Sequence, residues 1–371
     1  VACWAHHLSR SHSIDLFVLG SAERGFVDLG PSVGRTAVFD APEPIRARPI
    51  VGPLGHLGFL RRLDRAYRTM AAAVDAGGYD VAFVHSCRLS HSPSVLEHLE
   101  TPSVYVLQEP ARRLFEGPPA RALRDRLVGW AARRAERRAA RAAGRVLANS
   151  EFSAGNIRRL YGLEPSVVRL GVDDEVFHPE PSAVRERRVI SVGAISPAKG
   201  FRFLVDALAR IERDRPALLV AGDRTEPGEA EELARRAGAA GVELAIRLRV
   251  PDPELARLYA RSLAFVYAPH AEPFGLAPLE AMACGTPVVA VGEGGVLETV
   301  GSAGILVERD ETRFAARLSE LLADPTRVEE MARLGRTHVE ASWSLEASSR
   351  AIEQELRQQA ATGGCPSLRR D

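Results

Sequence analysis

A chain of 371 residues is longer than one hydrophobic core usually supports, so the sequence predicts two domains. Its content of 46% hydrophobic and 26% charged residues is ordinary for a globular protein, and no apolar run is long enough to span a bilayer. The net charge is +1, and basic residues are only slightly in excess in the first half, so we do not expect a nucleic-acid partner. The chain has four cysteines, Cys3, Cys87, Cys284 and Cys365, which lie far apart without a C-x-x-C pair. This spacing disfavours a zinc site or a disulfide framework and favours a cytoplasmic location.

Short apolar runs alternate with helical patterns through the first half of the chain, which predicts a parallel sheet built from βαβ units. Residues 1–10 resemble the end of a helix with no strand before it, so we expect the N-terminal domain to lack its first strand. Strands are predicted at 14–20, 79–85, 103–107, 145–149 and 166–170. Helices are predicted near 57–76, 93–99, 121–142 and 151–161.

The segment 177–188 contains two prolines and clustered charge, which is typical of a linker. After it the alternation restarts, with strands at 189–193, 217–222, 242–248, 263–268, 287–291 and 304–307. Helices are predicted at 201–211, 229–236, 253–261 and 278–283, and the chain is expected to be helical from 311 to 359. We therefore expect one Rossmann-like domain over 1–180 and another over 181–345, with a cleft between them. A helix at 346–361 is expected to pack back on the first domain, and 362–371 to form a disordered tail.

A single lysine, Lys199, stands among 49 basic residues, and all the others are arginine. One interpretation is a coding bias against lysine. Under that bias the position where lysine persists is either a chance survivor or a candidate for a site that needs a compact ammonium group. Lys199 ends a loop that runs from a strand into a helix, with Gly193 at the start of that loop. Helix N-terminal N–H groups favour anions, and the ammonium adds a full charge, so the loop is a candidate diphosphate cradle.

Two glutamates, Glu272 and Glu280, border a second loop between a strand and a helix. Pro278 suits the first turn of that helix, and Gly275 allows the backbone to approach a ligand closely. One interpretation of Glu280 is a carboxylate that accepts hydrogen bonds from both ribose hydroxyls of a nucleotide. The other is a glutamate that complements the helix dipole. Glu272 lies in the connection itself, where function is favoured over packing.

These motifs, in this order, resemble the retaining glycosyltransferases of family 4, which have the GT-B fold of two Rossmann-like domains. The resemblance covers nearly the whole chain, and the spacing of Glu272 and Glu280 matches the E-x7-E motif of that family. The matching segments are 147–150, 171–173 with Phe177 and Pro179, 192–200, 250–252 with Glu254 and Leu255, 272–288, and 292–295 with Glu298.

The resemblance implies roles for several of the matched positions. Lys199 would hold the donor diphosphate, Glu280 would bind the ribose, and Glu272 would hold the donor sugar. The backbone would contribute at Gly193, Val250, Phe274, Gly275, Leu276 and Ala277, with Val250 meeting the base. No metal or other cofactor is expected, because this family neutralises the leaving diphosphate with basic side chains and helix dipoles. The first domain would bind the acceptor, which is a saccharide, a lipid-linked group or a small molecule.

Three further positions, one in the second domain and two in the first, bear on this expectation. The family usually has arginine where Ala194 stands, and Arg224, Arg247 or Arg249 could supply the missing phosphate contact. A histidine commonly ends the strand that here ends in Gln108 and Glu109. His85 ends another strand of this domain and is a candidate catalytic residue that faces the acceptor.

The helix near 121–145 carries nine arginines and two acidic residues, interleaved with alanine and leucine residues, Val128 and Trp130. A basic amphipathic face of this kind docks on anionic lipid, which would make the protein peripheral to the membrane. The alternative is a solvated, arginine-rich helix in a protein that is poor in lysine.

We expect a metal-independent glycosyltransferase that moves a sugar from a nucleotide-diphosphate sugar to an acceptor hydroxyl with retention. Two alternatives stay open on the sequence. One is a catalytically impaired nucleotide-binding remnant of the same fold, and the other is a nucleotide-sugar epimerase with the GT-B fold.

Overall fold

The computed structural model describes residues 2–20, 29–41, 53–86, 89, 91–116, 123–180 and 183–363. The chain divides into two compact units. Unit 1 consists of Val1–Arg169 and Ser349–Asp371, and unit 2 consists of Leu170–Ser348. No helix in these described ranges is both long and apolar enough to cross a membrane. The tail predicted at 362–371 lies outside the described residues, apart from its first two positions.

Unit 1 consists of parallel strands and the helices that connect them. Its strands are β1 (Asp15–Leu19), β2 (Arg35–Phe39), β3 (Ala82–His85), β4 (Ser103–Val106), β5 (Arg145–Ala148) and β6 (Ser166–Val167). Its helices are α1 (Ala2–Leu8), α2 (Pro53–Asp75), α3 (Arg112–Glu116), α4 (Leu123–Ala142) and α5 (Glu151–Tyr161). β1 pairs with β2 in a two-stranded sheet, and β3, β4, β5 and β6 follow in that order in a four-stranded sheet.

Three predictions for unit 1 were wrong in detail. β2 was missed because only three of its five residues are apolar and none is buried, so it lacks the pattern of a core strand. Residues 93–99 contain a 3-10 turn, Ser94–Glu97, since the segment after Pro93 is too short to form an α-helix. The strand predicted at 166–170 is only the two-residue β6.

Unit 2 is a six-stranded parallel sheet with helices on both faces. Its strands are β7 (Glu186–Val192), β8 (Ala217–Gly222), β9 (Leu244–Leu248), β10 (Ser262–Tyr267), β11 (Val288–Val291) and β12 (Ile305–Val307). Its helices are α6 (Phe201–Ala209), α7 (Glu229–Ala239), α8 (Asp252–Ala260), α9 (Leu276–Ala283), α10 (Val296–Val300), α11 (Glu311–Leu322) and α12 (Pro325–Ser342). The last helix, α13 (Leu345–Gly363), begins in unit 2 and continues into unit 1.

Successive residues of the central strands point into two different cores. In β7, Val189 packs into one hydrophobic cluster and Ile190 into the other, and in β10 Val266 and Phe265 divide in the same way. All four side chains are fully buried. Strands of a parallel sheet covered on both faces are apolar throughout, which is why these runs were recognisable in the sequence.

The strand order of unit 2 fixes where a ligand site can form. The order is β12-β11-β10-β7-β8-β9, so the chain moves outward in one direction from β7 and in the other direction from β10. β7 and β10 are neighbours, with Ile190 paired to Phe265. Their two following loops therefore diverge at a topological switch point, where open α/β sheets bind ligands.

The structure corrects three expectations for unit 2. Phe177 is buried in the core rather than lying in an exposed linker, and β7 begins at Glu186, inside the predicted linker. α10 was not predicted, since it is only five residues long. The region predicted to be helical from 311 to 359 consists of three helices, α11, α12 and α13, with breaks between them. Asp324 caps the start of α12 by accepting the N–H groups of Thr326 and Arg327, which fixes the first of these breaks.

Candidate functional site

Lys199 and Glu272 form an ion pair at the switch point of unit 2. Lys199 ends a 3-10 turn, Pro197–Lys199, in the loop after β7, and Glu272 lies in the loop after β10. Lys199 Nζ donates a hydrogen bond to Glu272 Oε2 at 2.7 Å, and the two side chains are 25% and 16% exposed. The structure thus brings together two residues separated by 73 positions that the sequence assigned to one site.

Glycines allow the loop that carries Lys199 to fit closely against its neighbours. A Cβ atom on Gly193 would lie 3.3–3.5 Å from three carbons of the Lys199 side chain, so the lysine stem lies across this glycine. Gly200 has φ +69°, and a Cβ atom there would stand 1.8 Å from the carbonyl oxygen of Ala268. His270 N–H also donates to the carbonyl of Ala198 at 2.8 Å. The loops after β7 and β10 are therefore joined through their backbones.

A glycine turn after β11 supports the backbone on both sides of Glu272. Gly295 N–H donates to the carbonyl of Glu272 at 2.8 Å. A Cβ atom on Gly294, which has φ +64°, would lie 2.4 Å from that same carbonyl oxygen. Any larger residue at Gly294 would displace the backbone of Glu272, so this turn fixes the backbone from which the carboxylate extends.

Arg309, which follows β12, joins the loops after β10 and β11. Its guanidinium forms a bidentate ion pair with Glu293, at 2.7 and 2.8 Å, and donates to the carbonyls of Ala268 and Pro269 at 3.0 and 2.7 Å. Arg309 holds the pKa of Glu293 below its usual value, and a hydrogen bond from the Ala271 backbone contributes in the same direction. Arg309 and Glu293 thus hold Ala271, which directly precedes Glu272. Glu293 lies within the matched segment 292–295 but was given no role, and Arg309 was missed.

The first turn of α9 supplies backbone donors beside Glu272. Gly275 is its N-cap with φ +99°, and a Cβ atom there would approach Thr299 Oγ1 to 3.1 Å. The N–H groups of Leu276 and Ala277 belong to the first turn, where helix N–H groups have no acceptor within the helix. The ring of Phe274 is buried and packs edge-on against Trp343, with centroids 5.6 Å apart. Phe274 therefore anchors this turn, and its side chain is unavailable to a ligand.

Glu280 is a half-buried carboxylate on α9 that is supported by a buried tyrosine. Tyr259 Oη donates to Glu280 Oε2 at 2.9 Å, and Tyr259 itself is fully buried. Burial, with a smaller contribution from Asp252, raises the pKa of Glu280 to about 7, although the tyrosine hydrogen bond opposes the rise. The burial that raises this pKa is the same for a ligand-binding glutamate and for one that complements the helix dipole, so both interpretations of Glu280 stay open.

A second buried tyrosine supports Glu272 in the same manner. Tyr267, near the end of β10, hydrogen-bonds the Glu272 carboxylate, and burial together with that carboxylate raises the pKa of its phenol. The rings of Tyr259 and Tyr267 both contact Phe265, at centroid distances of 5.7 and 5.4 Å. Each glutamate of the E-x7-E motif is thus held from the core side by a tyrosine. In the sequence these tyrosines are indistinguishable from other aromatic core residues.

Other predicted site residues occupy different surroundings. His85 lies at the end of β3 in unit 1, where its ring contacts Phe83 and Trp4 at centroid distances of 4.5 and 6.4 Å. Its Nε2 atom is buried without a hydrogen-bond partner among the described residues, and burial lowers its pKa to about 3. His85 is therefore neutral at physiological pH. Val250 is half-buried and packs against the core beside α8.

The three arginines considered as replacements at the Ala194 position are exposed. Arg224 is paired with Asp223 at 2.7 Å, and Arg247 with Glu254 at 2.6 Å. Arg249 has a left-handed backbone with φ +56°, and its N–H donates to the carbonyl of Gly222. Within the described ranges no three His, Cys, Asp or Glu side chains are arranged as a metal-binding group.

Comparison with known proteins gives matches over both halves of the chain. Residues 172–338 match the family of group 1 glycosyl transferases, and residues 2–176 match glycosyltransferase family 4. A D-inositol 3-phosphate glycosyltransferase of Segniliparus rotundus is 35% identical over 215 residues, which cover 52% of this chain and 48% of the relative. The corresponding enzyme of Kribbella flavida is 36% identical over 259 residues, which cover 62% of this chain and 58% of the relative. The chain thus spans about half the length of these curated relatives.

Solved structures resemble the whole chain at low sequence identity. Sucrose-phosphate synthase from Thermosynechococcus elongatus has a TM-score of 0.71 and 20% identity, and the match covers 94% of this chain and 99% of that chain. HepE of Anabaena, crystallised in complex with UDP and glucose, has a TM-score of 0.66 and 22% identity, with coverage of 93% and 100%. The predicted GT-B fold with two Rossmann-like domains is confirmed.

Proposed function

The chain belongs to the group 1 and family 4 glycosyltransferases, and from this premise we propose that it transfers a sugar from a nucleoside-diphosphate sugar to an acceptor hydroxyl. We further propose retention of configuration at the anomeric carbon. The observation that carries the proposal is the Lys199–Glu272 ion pair, which stands at the switch point beside the first turn of α9. A cation and the N–H groups of a helix first turn suit the anionic diphosphate of such a donor.

The proposed reaction requires stabilisation of a leaving diphosphate. As the acceptor oxygen bonds to the anomeric carbon, the bond from that carbon to the phosphate oxygen breaks and its electron pair stays on the diphosphate. The acceptor hydroxyl gives its proton to an oxygen of the departing diphosphate. Lys199 and the N–H groups of Leu276 and Ala277 would face the negative charge that develops on the phosphate. A fixed donor of this kind is worth about 3–4 kcal/mol in comparable oxyanion sites, so chain residues can stabilise the leaving group without a metal.

The two glutamates would divide the rest of the donor between them. Glu272 would accept hydrogen bonds from hydroxyls of the sugar, and Glu280 from the two ribose hydroxyls. An ionised carboxylate accepts both ribose bonds, whereas a protonated one has a reduced capacity to accept. The pKa of about 7 at Glu280 therefore predicts tighter nucleotide binding above neutral pH than below it. Because HepE was crystallised with UDP, UDP-sugars are the first donors to test.

Two measurements test this function. Stabilisation of the folded chain by UDP, GDP, ADP and dTDP at equal concentration identifies the base, because a tighter ligand stabilises the folded state more. Transfer of a labelled sugar from the matching donor then tests the reaction. Lys199→Ala should lower the rate of transfer by a factor of several hundred, from the loss of about 3–4 kcal/mol of leaving-group stabilisation, and should also weaken nucleotide binding. Arg235→Ala, which removes an exposed cation from α7, should leave both unchanged.

The outcomes separate the proposal from its alternatives. Normal turnover by Lys199→Ala would remove this residue from the site. Nucleotide binding without transfer to any acceptor would favour an impaired binding protein. An epimerised nucleotide sugar in place of a glycosylated product would identify an epimerase.

A further inference from the structure

The N-terminal half of α4 exposes large apolar side chains at one place. Leu127, Val128 and Trp130 are 60%, 41% and 58% exposed, and we call these three residues the apolar tip. The other two tryptophans of the chain, Trp4 and Trp343, are only 3% and 5% exposed. Three such side chains within four residues form a patch, in contrast to the single exposed apolar residues that are common on protein surfaces.

The surface around the apolar tip is positively charged. The described side chains of α4 include six arginines against two acidic residues, Asp125 and Glu136. Glu136 is turned inward, where it accepts the N–H of Ser92 at 3.0 Å. The guanidinium of Arg134 lies over the ring of Trp130 at 5.8 Å, and Arg126 is exposed one position before Leu127. Cations therefore border the tip directly.

The topology of unit 1 places this tip beyond the carboxyl ends of its parallel strands. β4 and β5 are parallel neighbours, so α4 returns the chain from the carboxyl end of β4 to the amino end of β5. Glu136 already lies level with the carboxyl-end loops, because it contacts Ser92 in the loop region after β3. Trp130 and Leu127 precede Glu136 by six and nine residues, so at 1.5 Å per residue they project about 9–14 Å farther in that direction.

We propose that the apolar tip of α4 and its arginines dock on a bilayer that contains anionic phospholipid. Tryptophan and leucine side chains enter the region between headgroups and acyl chains, while adjacent arginines contact the phosphates. The charge of α4 selects an anionic lipid surface as the occupant. A solvated helix explains the arginines but leaves the clustered exposure of Leu127, Val128 and Trp130 without a reason. Docking in this orientation turns the carboxyl edge of the unit 1 sheet toward the lipid surface.

Vesicle binding of the full chain tests the proposal independently of any transferase activity. The protein is mixed with vesicles of phosphatidylcholine alone or of phosphatidylcholine with phosphatidylglycerol, and bound protein is measured by co-sedimentation. We expect binding to the mixed vesicles that weakens as salt is added. Tryptophan emission should shift to shorter wavelength on binding, and the shift reports on Trp130 because Trp4 and Trp343 are already buried.

Two sets of variants assign the binding to this surface. Leu127→Ser combined with Trp130→Ala should weaken binding to mixed vesicles by at least about tenfold, since two apolar contacts are lost. Arg126→Gln and Arg134→Gln should each weaken it by about fivefold at low salt. Val184→Ala removes an apolar side chain of unit 2 that is even more exposed, at 81%, and should change nothing. Circular dichroism checks that each variant is folded.

Three results would overturn the proposal. The first is equal binding to neutral and mixed vesicles, or no binding to either. The second is unchanged binding of the variant that lacks Leu127 and Trp130. The third is a shift of Trp130 emission that depends on protein concentration without vesicles, because the tip would then contact a second copy of the chain.

Discussion

Replacement of Glu280 by glutamine tests whether the ionised Glu280 carboxylate lowers the free energy of unfolding. Burial raises the pKa of Glu280 from 4.5 to about 7. A carboxyl group whose pKa is raised in the folded state stabilises that state while it is protonated, and the contribution is lost as the pH rises through the folded pKa. At about 1.36 kcal/mol per pH unit between the two pKa values, the loss is roughly 3 kcal/mol in total. About 2.5 kcal/mol of it falls between pH 5 and pH 8.5.

Glutamine keeps an oxygen that accepts the Tyr259 hydroxyl but cannot ionise. The free energy of unfolding of Glu280→Gln should therefore rise relative to that of the wild type by about 2.5 kcal/mol between pH 5 and pH 8.5. Scanning calorimetry of both proteins at the two pH values measures this difference. Glu254→Gln, at an exposed position on α8, should show a constant difference from wild type. If the advantage of Glu280→Gln does not grow with pH, Glu280 is already ionised below neutral pH in the folded protein and the reasoning fails.

Two further substitutions test the contacts that hold the motif glutamates. Tyr259→Phe removes the hydrogen bond that lowers the pKa of Glu280, so the pH at which nucleotide affinity falls should move upward, by about one unit for a bond worth ~1.4 kcal/mol. Calorimetric titration of nucleotide between pH 6 and pH 9 measures it, and an unmoved pH profile would show that Tyr259 only fills space. Arg309→Lys cannot maintain both the bidentate pair with Glu293 and the two carbonyl contacts, so it should destabilise the fold by ~2 kcal/mol. It should also weaken binding of a nucleotide sugar more than that of the free nucleotide, and an equal effect on both would place Arg309 outside the positioning of Glu272.

The sequence predicted the framework of unit 2 well because its strands are covered on both faces. β8 lies at its predicted bounds, and residues such as Leu218 and Val220 are fully buried, so the apolar runs carried the signal directly. The same approach missed β2, whose residues are exposed or half-buried and carry no such signal. Lys199 and Glu272 were assigned to one site by motif, and the strand order that makes β7 and β10 neighbours explains their proximity.

The supporting contacts of the site were not predictable in the same way. Tyr259 and Tyr267 are buried aromatic residues on ordinary elements, and nothing local distinguishes them from Phe265, which packs between them. Arg309 is one arginine among forty-eight, and its role depends on carbonyls more than thirty residues away in the chain. These roles come from tertiary contacts and not from residue type, so the sequence alone does not reveal them.

Backbone strain indicates why these supporting contacts are needed. Ala271 is one of three non-glycine residues with positive φ among the described residues, at +46°, and it immediately precedes Glu272. A left-handed alanine is about 1–2 kcal/mol less favourable than a right-handed one, so a relaxed loop would turn Glu272 in another direction. The hydrogen bond from the Ala271 backbone to Glu293, and the pairing of Glu293 with Arg309, offset this strain. At both motif glutamates, therefore, the surrounding structure maintains an unfavourable local state. Before Glu272 this state is a strained backbone, and at Glu280 it is a desolvated carboxyl group. A donor that bonds to both carboxylates would meet groups already oriented for it, with less ordering left to occur on binding.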